Sequence, residues 1–143
     1  MKTVILELSK WAHSLQPEEH GFTTSLRVED GSMCCLGFLG RACGIDEEEM
    51  TDVSTPSCDD AEWDPEHWPE GLFEYVEGQT FVVGSSSGGR RVTAYTDERQ
   101  GSRFQFEDIL VALNDMANVD VATKLEWLKE GFKQIGCELV VKD

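Results

Sequence analysis

From Ala42 through Gly89 the chain carries no Lys or Arg, yet thirteen Asp and Glu residues. Carboxylates this close repel one another, and nothing nearby in the sequence neutralises them. Metal ions, solvent or a basic surface must do so. Asp46 to Glu70 adds Pro56, Pro65 and Pro69 and has few aliphatics. It reads as an irregular excursion, about residues 46–70, from one domain spanning residues 1–143. Outside the acidic window, 12 basic residues face 15 acidic ones, so the acidity is a segment and not a uniform coat.

The formal net charge is −16. That disfavours direct binding to nucleic acid or an anionic membrane and favours a basic partner. High charge that only keeps a soluble protein apart from its neighbours is the plain alternative. No apolar run approaches the ~18 residues of a membrane span. The first ten residues interrupt their apolar positions with charge and do not read as a signal peptide. The five cysteines, Cys34, Cys35, Cys43, Cys58 and Cys137, are odd in number and follow no export signal. Free thiols in a cytoplasm are expected.

Hydrophobic spacing predicts an α+β class. Ile5, Leu8, Ala12 and Leu15, flanked by Trp11, predict an amphipathic helix from Thr3 to Leu15. Phe22 to Val28 reads as a strand that turns at Asp30-Gly31. Ser32 to Cys43 reads as a short buried, Cys-rich helix stopped by Gly44. Its Gly37 and Gly40 lie on one face and should let another backbone come close. Leu72 to Tyr75 and Gln79 to Val83 suggest a hairpin, and Arg91 to Tyr95 a third strand, making a small antiparallel sheet. Ser102 and Gln105 fit a capping box before a helix with Phe106, Ile109, Leu110, Leu113 and Ala117 on one face. Asn118 stops that helix, and Asp120 caps a second one bearing Val121, Leu125, Leu128, Phe132 and Ile135. Gly136 ends the pair, and Cys137 to Val141 returns as a strand.

Two clusters are candidate sites. The first is acidic and holds two indoles: Glu47, Glu48, Glu49, Asp52, Asp59, Asp60, Glu62, Trp63, Asp64, Glu66 and Trp68. Acid flanking Trp on a Pro-stiffened loop suits a basic, partly apolar partner. Alternatively, both indoles fold back to cover the sheet. Duplex DNA carries one charge per ~1.7 Å of axis, and a compact acidic loop approaches that density. The second cluster is basic: Arg90, Arg91, Arg99 and Arg103 with Tyr95, beyond a Gly-Ser loop. It would hold an anionic nucleotide through bidentate contacts, although the loop lacks a P-loop ending.

Cys34, Cys35 and Cys43 lack zinc-site spacing, and the acids from Asp59 to Glu66 lack the EF-hand pattern, so no metal or other cofactor is expected. A thiol enzyme would need a base such as His20 or His67 beside Cys34 or Cys35. Core thiols are the better reading, and no enzymatic activity is expected. Asn114 and Asp115 near a helix end offer polar ligands, though a cap and a solvated carboxylate is the commoner reading of such a pair.

The string Gly31-Ser32-Met33-Cys34-Cys35-Leu36-Gly37-Phe38-Leu39 resembles a motif in small phage and prophage proteins of mostly unassigned function. In those proteins a Gly-x-x-Cys-Cys-Leu-Gly-Val-Leu-Cys core follows an N-terminal helix bearing a Trp, here Trp11. A Leu-Asn-Asp element, here Leu113-Asn114-Asp115, precedes a final amphipathic helix. The motif's third Cys falls at Gly40, and the usual Asp-x-Gly-x-Ser-Phe continuation is replaced by Asp115 to Asp120. The resemblance skips the acidic middle and carries over no catalytic residue. It implies a phage-encoded accessory protein acting in the cytoplasm of an infected bacterium. Joined to the charge pattern, it leads to the expectation of an inhibitor of a basic, nucleic-acid-binding host defence protein.

Overall fold

The computed structural model describes residues 1–13, 26–53, 55–57, 63–76, 80–83, 90–93, 104–115 and 119–143. Strand β1 (Lys2–Glu7) runs into a 3-10 turn at Leu8–Lys10. Helices α1 (Cys35–Ala42) and α2 (Glu47–Met50) follow, then 3-10 turns at Pro65–His67 and Glu70–Phe73. Strands β2 (Tyr75–Val76), β3 (Thr80–Val83), β4 (Arg90–Thr93) and β5 (Phe104–Gln105) precede helices α3 (Phe106–Asp115) and α4 (Val121–Gln134). Strand β6 (Cys137–Lys142) closes the chain.

The expected N-terminal helix is instead a strand. Val4 and Leu6 are buried while Ile5 is 39% exposed, a period of two rather than 3.6. The consecutive β-branched residues Thr3, Val4 and Ile5 favour the extended form. The partner comes from the far end of the chain: β1 pairs in parallel with β6, with Val4 opposite Leu139 and Leu6 opposite Val141. Helix α1 packs on β1, α4 packs on β6, and α3 packs on both helices.

The expected antiparallel sheet is likewise corrected. The sheet that carries the helices is this two-stranded parallel pair. Among the described residues, antiparallel strands occur as two short, separate pairs, β2 with β5 and β3 with β4, beside an isolated antiparallel bridge between Arg27 and Met33. Leu72 belongs to a 3-10 turn, and the hairpin partner of β3 is β4. The class remains a mixture of helices and strands.

Several local expectations hold. Gly44 and Gly136 adopt φ of +84° and +74° and end α1 and α4. The Asp30-Gly31 turn forms, with Asp30 Oδ1 accepting from the Ser32 N–H at 2.9 Å. Asp120 caps α4 by accepting from the Thr123 N–H at 3.1 Å. The α3 cap differs from the expected box: Asp108 Oδ2 accepts from the Gln105 N–H at 3.0 Å. Helix α4 is also rotated from its expected stripe. Val121 is 42% exposed, and Lys124, Trp127 and Gly131 are buried beside Leu128 and Phe132.

A Cβ at Gly37 would overlap the backbone carbonyl oxygen of Leu26 and lie 2.8 Å from Met33 Cβ. The close backbone approach expected at this glycine is therefore present. Gly37→Ala should lower stability by about 2 kcal/mol in urea unfolding, because overpacking against backbone outweighs the gain in helix propensity. An unchanged midpoint would show that Leu26 can move aside.

Candidate functional site

The acidic stretch is built on buried anchors that turn its carboxylates outward. Asp46 caps α2, its Oδ1 accepting from the Glu48 N–H at 2.9 Å. Met50 at the end of α2 is fully buried, and Glu48 and Glu49 are exposed. Glu47 bends back to Arg41, with Oε1 2.6 Å from Nε. Arg41 also meets Glu7 at 2.7 Å and holds that carboxyl below its ordinary range, against the opposing effect of burial. Asp52 is exposed, and its N–H donates to the Arg27 carbonyl at 2.9 Å. Asp64 caps the 3-10 turn at Pro65–His67 by accepting from the Glu66 N–H at 3.0 Å, leaving Glu66 and His67 exposed.

The indoles point the other way. Trp68 is 4% exposed and rests where α1 has no side chain: a Cβ at Gly40 would lie 2.8 Å from its six-membered ring. Trp63 is half-buried, 5.6 Å from Trp68 between ring centroids, and donates from Nε1 to the Pro56 carbonyl at 2.9 Å. Trp68 therefore offers no surface to a partner, which corrects its place among the contact residues. The pair clamps the acidic stretch onto the core. Asp59, Asp60 and Glu62 lie outside the described residues. So do Tyr95, Arg99 and Arg103 and the side chains of Arg90 and Arg91, of which only the β4 backbone is described.

Helices α1, α3 and α4 and the segment after β1 meet at a buried polar centre. Asn114 Oδ1 accepts from Trp11 Nε1 at 2.7 Å and from the Cys35 N–H at 2.9 Å. Its Nδ2 donates to the Ala12 carbonyl and to Asp115 Oδ1, each at 2.9 Å. Lys124 Nζ, fully buried, donates to the Asn114 carbonyl at 3.1 Å and lies 3.4 Å from His13 Nδ1. His13 stacks on Trp11 at 4.0 Å between centroids. Burial pulls both Lys124 and His13 below their ordinary pKa values, and the neighbouring ammonium adds to the effect on His13. The three sequence pieces carrying the phage-protein resemblance thus meet through one side-chain amide. Asn114 is a clamp between them, not the helix-end cap its position suggested.

The thiols beside this centre are inert. Burial pushes Cys34 up to about 12 and Cys35 well above the ordinary range. Cys35 Sγ donates to the Leu110 carbonyl at 3.7 Å. At neutral pH neither thiol supplies the thiolate a nucleophile requires.

Glu107, which the sequence reading passed over, is the buried carboxylic acid among the described residues. It is 1% exposed on the first turn of α3 and accepts from both the N–H (3.2 Å) and the hydroxyl of Ser57. Burial pushes its carboxyl up to about 7, against those hydrogen bonds and with help from Asp108. An acid on a first helical turn ordinarily signals a favourable dipole at the surface. Nothing in its spacing marks this one as interior.

Among the described residues, no group of three or more His, Cys, Asp or Glu is placed to hold a metal ion, and no helix is long and apolar enough to cross a membrane. A surface cavity of about 500 Å³ is lined by Met1, Lys129, Lys133, Cys137, Glu138 and Leu139, none of them a candidate from the sequence. Comparison with protein-family models, curated proteins and solved structures finds no match.

Proposed function

We propose that the chain is an acidic inhibitor that uses the outward carboxylates of residues 46–70 to bind a basic, nucleic-acid-binding protein. One observation carries this reading. Asp46, Glu48, Glu49, Asp52, Asp64, Glu66 and Glu70 are exposed, while the one ion pair of that stretch among the described residues is Glu47 with Arg41. Like charges held together on an anchored surface raise the local potential, speed encounter with a basic groove and give salt-sensitive attraction. The phage-protein resemblance gives the reading its setting: a phage accessory protein in a bacterial cytoplasm, acting against a CRISPR or restriction effector by occupying its phosphate-binding groove.

The alternative, sequestration of an anionic nucleotide by Arg90, Arg91, Tyr95, Arg99 and Arg103, rests on the sequence alone. Both readings face the same experiment. The tagged chain is incubated with bacterial lysate and eluted with rising salt. Proteins and small molecules are then read by mass spectrometry. The expected result is a near-stoichiometric basic protein that duplex DNA also displaces. Joint reversal of Glu48, Glu49, Asp52, Asp64 and Glu66 to Lys should weaken that capture by about tenfold or more, since steering and attraction both depend on them. Glu47 is left intact to keep its pair with Arg41. Capture that survives the reversal reduces the acidic face to a solvated surface, and a retained nucleotide without protein transfers the argument to the arginines.

A further inference from the structure

We propose that the cavity between α4 and β6 binds a small organic monoanion, a carboxylate with a short apolar body. The inference is independent of what the acidic face binds.

The position of the cavity follows from the strand. Cys137, Glu138 and Leu139 all line it, together with Lys129 and Lys133 of α4 and with Met1. Neighbours on a strand turn their side chains to opposite faces, so three in a row share only the strand's edge. One edge of β6 is taken by β1. The cavity therefore runs along the other edge. The phase of the ladder fixes what that edge offers. The Lys2 N–H donates to the Gly136 carbonyl at 3.2 Å, and Lys2 lies opposite Cys137. In a parallel pair the backbone groups of successive residues alternate between the two edges. Glu138 thus turns its N–H and carbonyl to β1, and Cys137 and Leu139 turn theirs to the cavity side. Neither of those two N–H groups donates to another described residue. A buried amide donor needs an acceptor, and an anion in the cavity supplies one.

The charges select the kind of anion. Lys129 and Lys133 lie one helical turn apart, are exposed, and form no ion pair among the described residues. Lys10 and Arg41, by contrast, are matched with acids, and Lys124 is engaged at Asn114. Two neighbouring cations thus stay unmatched in a chain with 28 acids. Glu138 is the one acid on the wall. Cys137 adds no charge, because burial pushes its thiol up and its Sγ donates to the Ile135 carbonyl at 3.8 Å. Two cations against one acid leave the wall one positive charge in excess. That balance matches a monoanion, whereas a polyanion would crowd Glu138. Acids farther off than about 10 Å are screened at about 0.1 M salt.

The walls call for an apolar body. The cavity holds about 500 Å³, inside the range of about 300–1,000 Å³ usual for small-molecule sites. A carboxylate group alone would leave most of that space unfilled. Leu139 and the Met1 side chain offer apolar surface, and the methylene stems of the two lysines extend it.

The test is a proton–nitrogen magnetic resonance titration of the full chain with hexanoate, with acetate and ATP as comparisons. Hexanoate at millimolar concentration should move the Cys137 and Leu139 amides downfield to saturation, and the Glu138 amide, already bonded to β1, should move less. Acetate, which lacks the body, and ATP, a polyanion, should each bind about tenfold or more weakly. Joint Lys129→Gln and Lys133→Gln should weaken hexanoate by about tenfold or more. Both side chains are exposed, so the fold is expected to survive the change. The absence of a saturable shift at Cys137 and Leu139 overturns the site, as does hexanoate binding that ignores the double variant. Acetate binding as tightly as hexanoate overturns the apolar body, and ATP binding more tightly at the same two amides overturns the monoanion.

Discussion

Asn114→Ala is expected to cost about 3–5 kcal/mol, a large part of the stability of a domain this size. The side-chain amide uses all of its hydrogen-bonding capacity: two donors reach Oδ1, and Nδ2 reaches two acceptors. Truncation leaves the Trp11 indole N–H and the Cys35 N–H without their acceptor inside the protein. Each such loss costs about 1–3 kcal/mol because water cannot replace the partner. It also removes the donor to the Ala12 carbonyl, which ties the segment after β1 to the rest. Asn114→Asp keeps the acceptor but sets an oxygen against the Ala12 carbonyl and the Asp115 carboxylate, so it should cost about as much as the alanine variant. Urea unfolding measures both. A loss under about 1 kcal/mol for Asn114→Ala would mean that the clamp is replaceable and the convergence incidental. Partner binding by Asn114→Ala should fall only as its folded population falls.

That clamp shows how much of the molecule was legible in the sequence. Trp11, the Cys34-Cys35 pair and Asn114 were each singled out, and Gly37 was read correctly as a place of close approach. What the sequence lacked was the distance between them. The hydrogen bonds that join them span up to 103 positions, and no local period encodes a contact of that range. The same gap explains the misread first element. Ile5, Leu8 and Ala12 fit a helical stripe, while Val4 and Leu6 fit a strand. The choice was made by β6, more than 130 residues away. Short apolar runs are ambiguous in this way until a partner is known.

Lys124 and Glu107 were invisible for a different reason. Both occupy positions where a charged residue ordinarily signals solvent, and spacing cannot report burial of a charge that the fold satisfies by other means. The acidic stretch was legible in composition, and the structure adds its attachment. Trp68 proved to be an inward anchor because Gly40 leaves room for its ring, a match between two residues 28 positions apart.

Glu107→Gln is expected to change how stability depends on pH, with an effect second only to loss of the clamp. The carboxyl sits at about 7 in the folded chain and near 4.5 when unfolded. Between those values the folded state holds a proton that the unfolded state has released. Stability from this group is therefore fully present below 4.5, falls as pH rises to 7, and is then constant, a change of about 3 kcal/mol. Glutamine has no proton to lose. The variant should match the parent near pH 5 and exceed it by about 3 kcal/mol at pH 8, as read by urea unfolding at each pH. Asp30 and Asp120, whose carboxyls hydrogen bonds hold low, contribute in the opposite sense, adding stability as pH rises above the unfolded range. They are common to both proteins and cancel in the difference. A difference that stays flat from pH 5 to 8 would place the carboxyl in contact with water or with a cation.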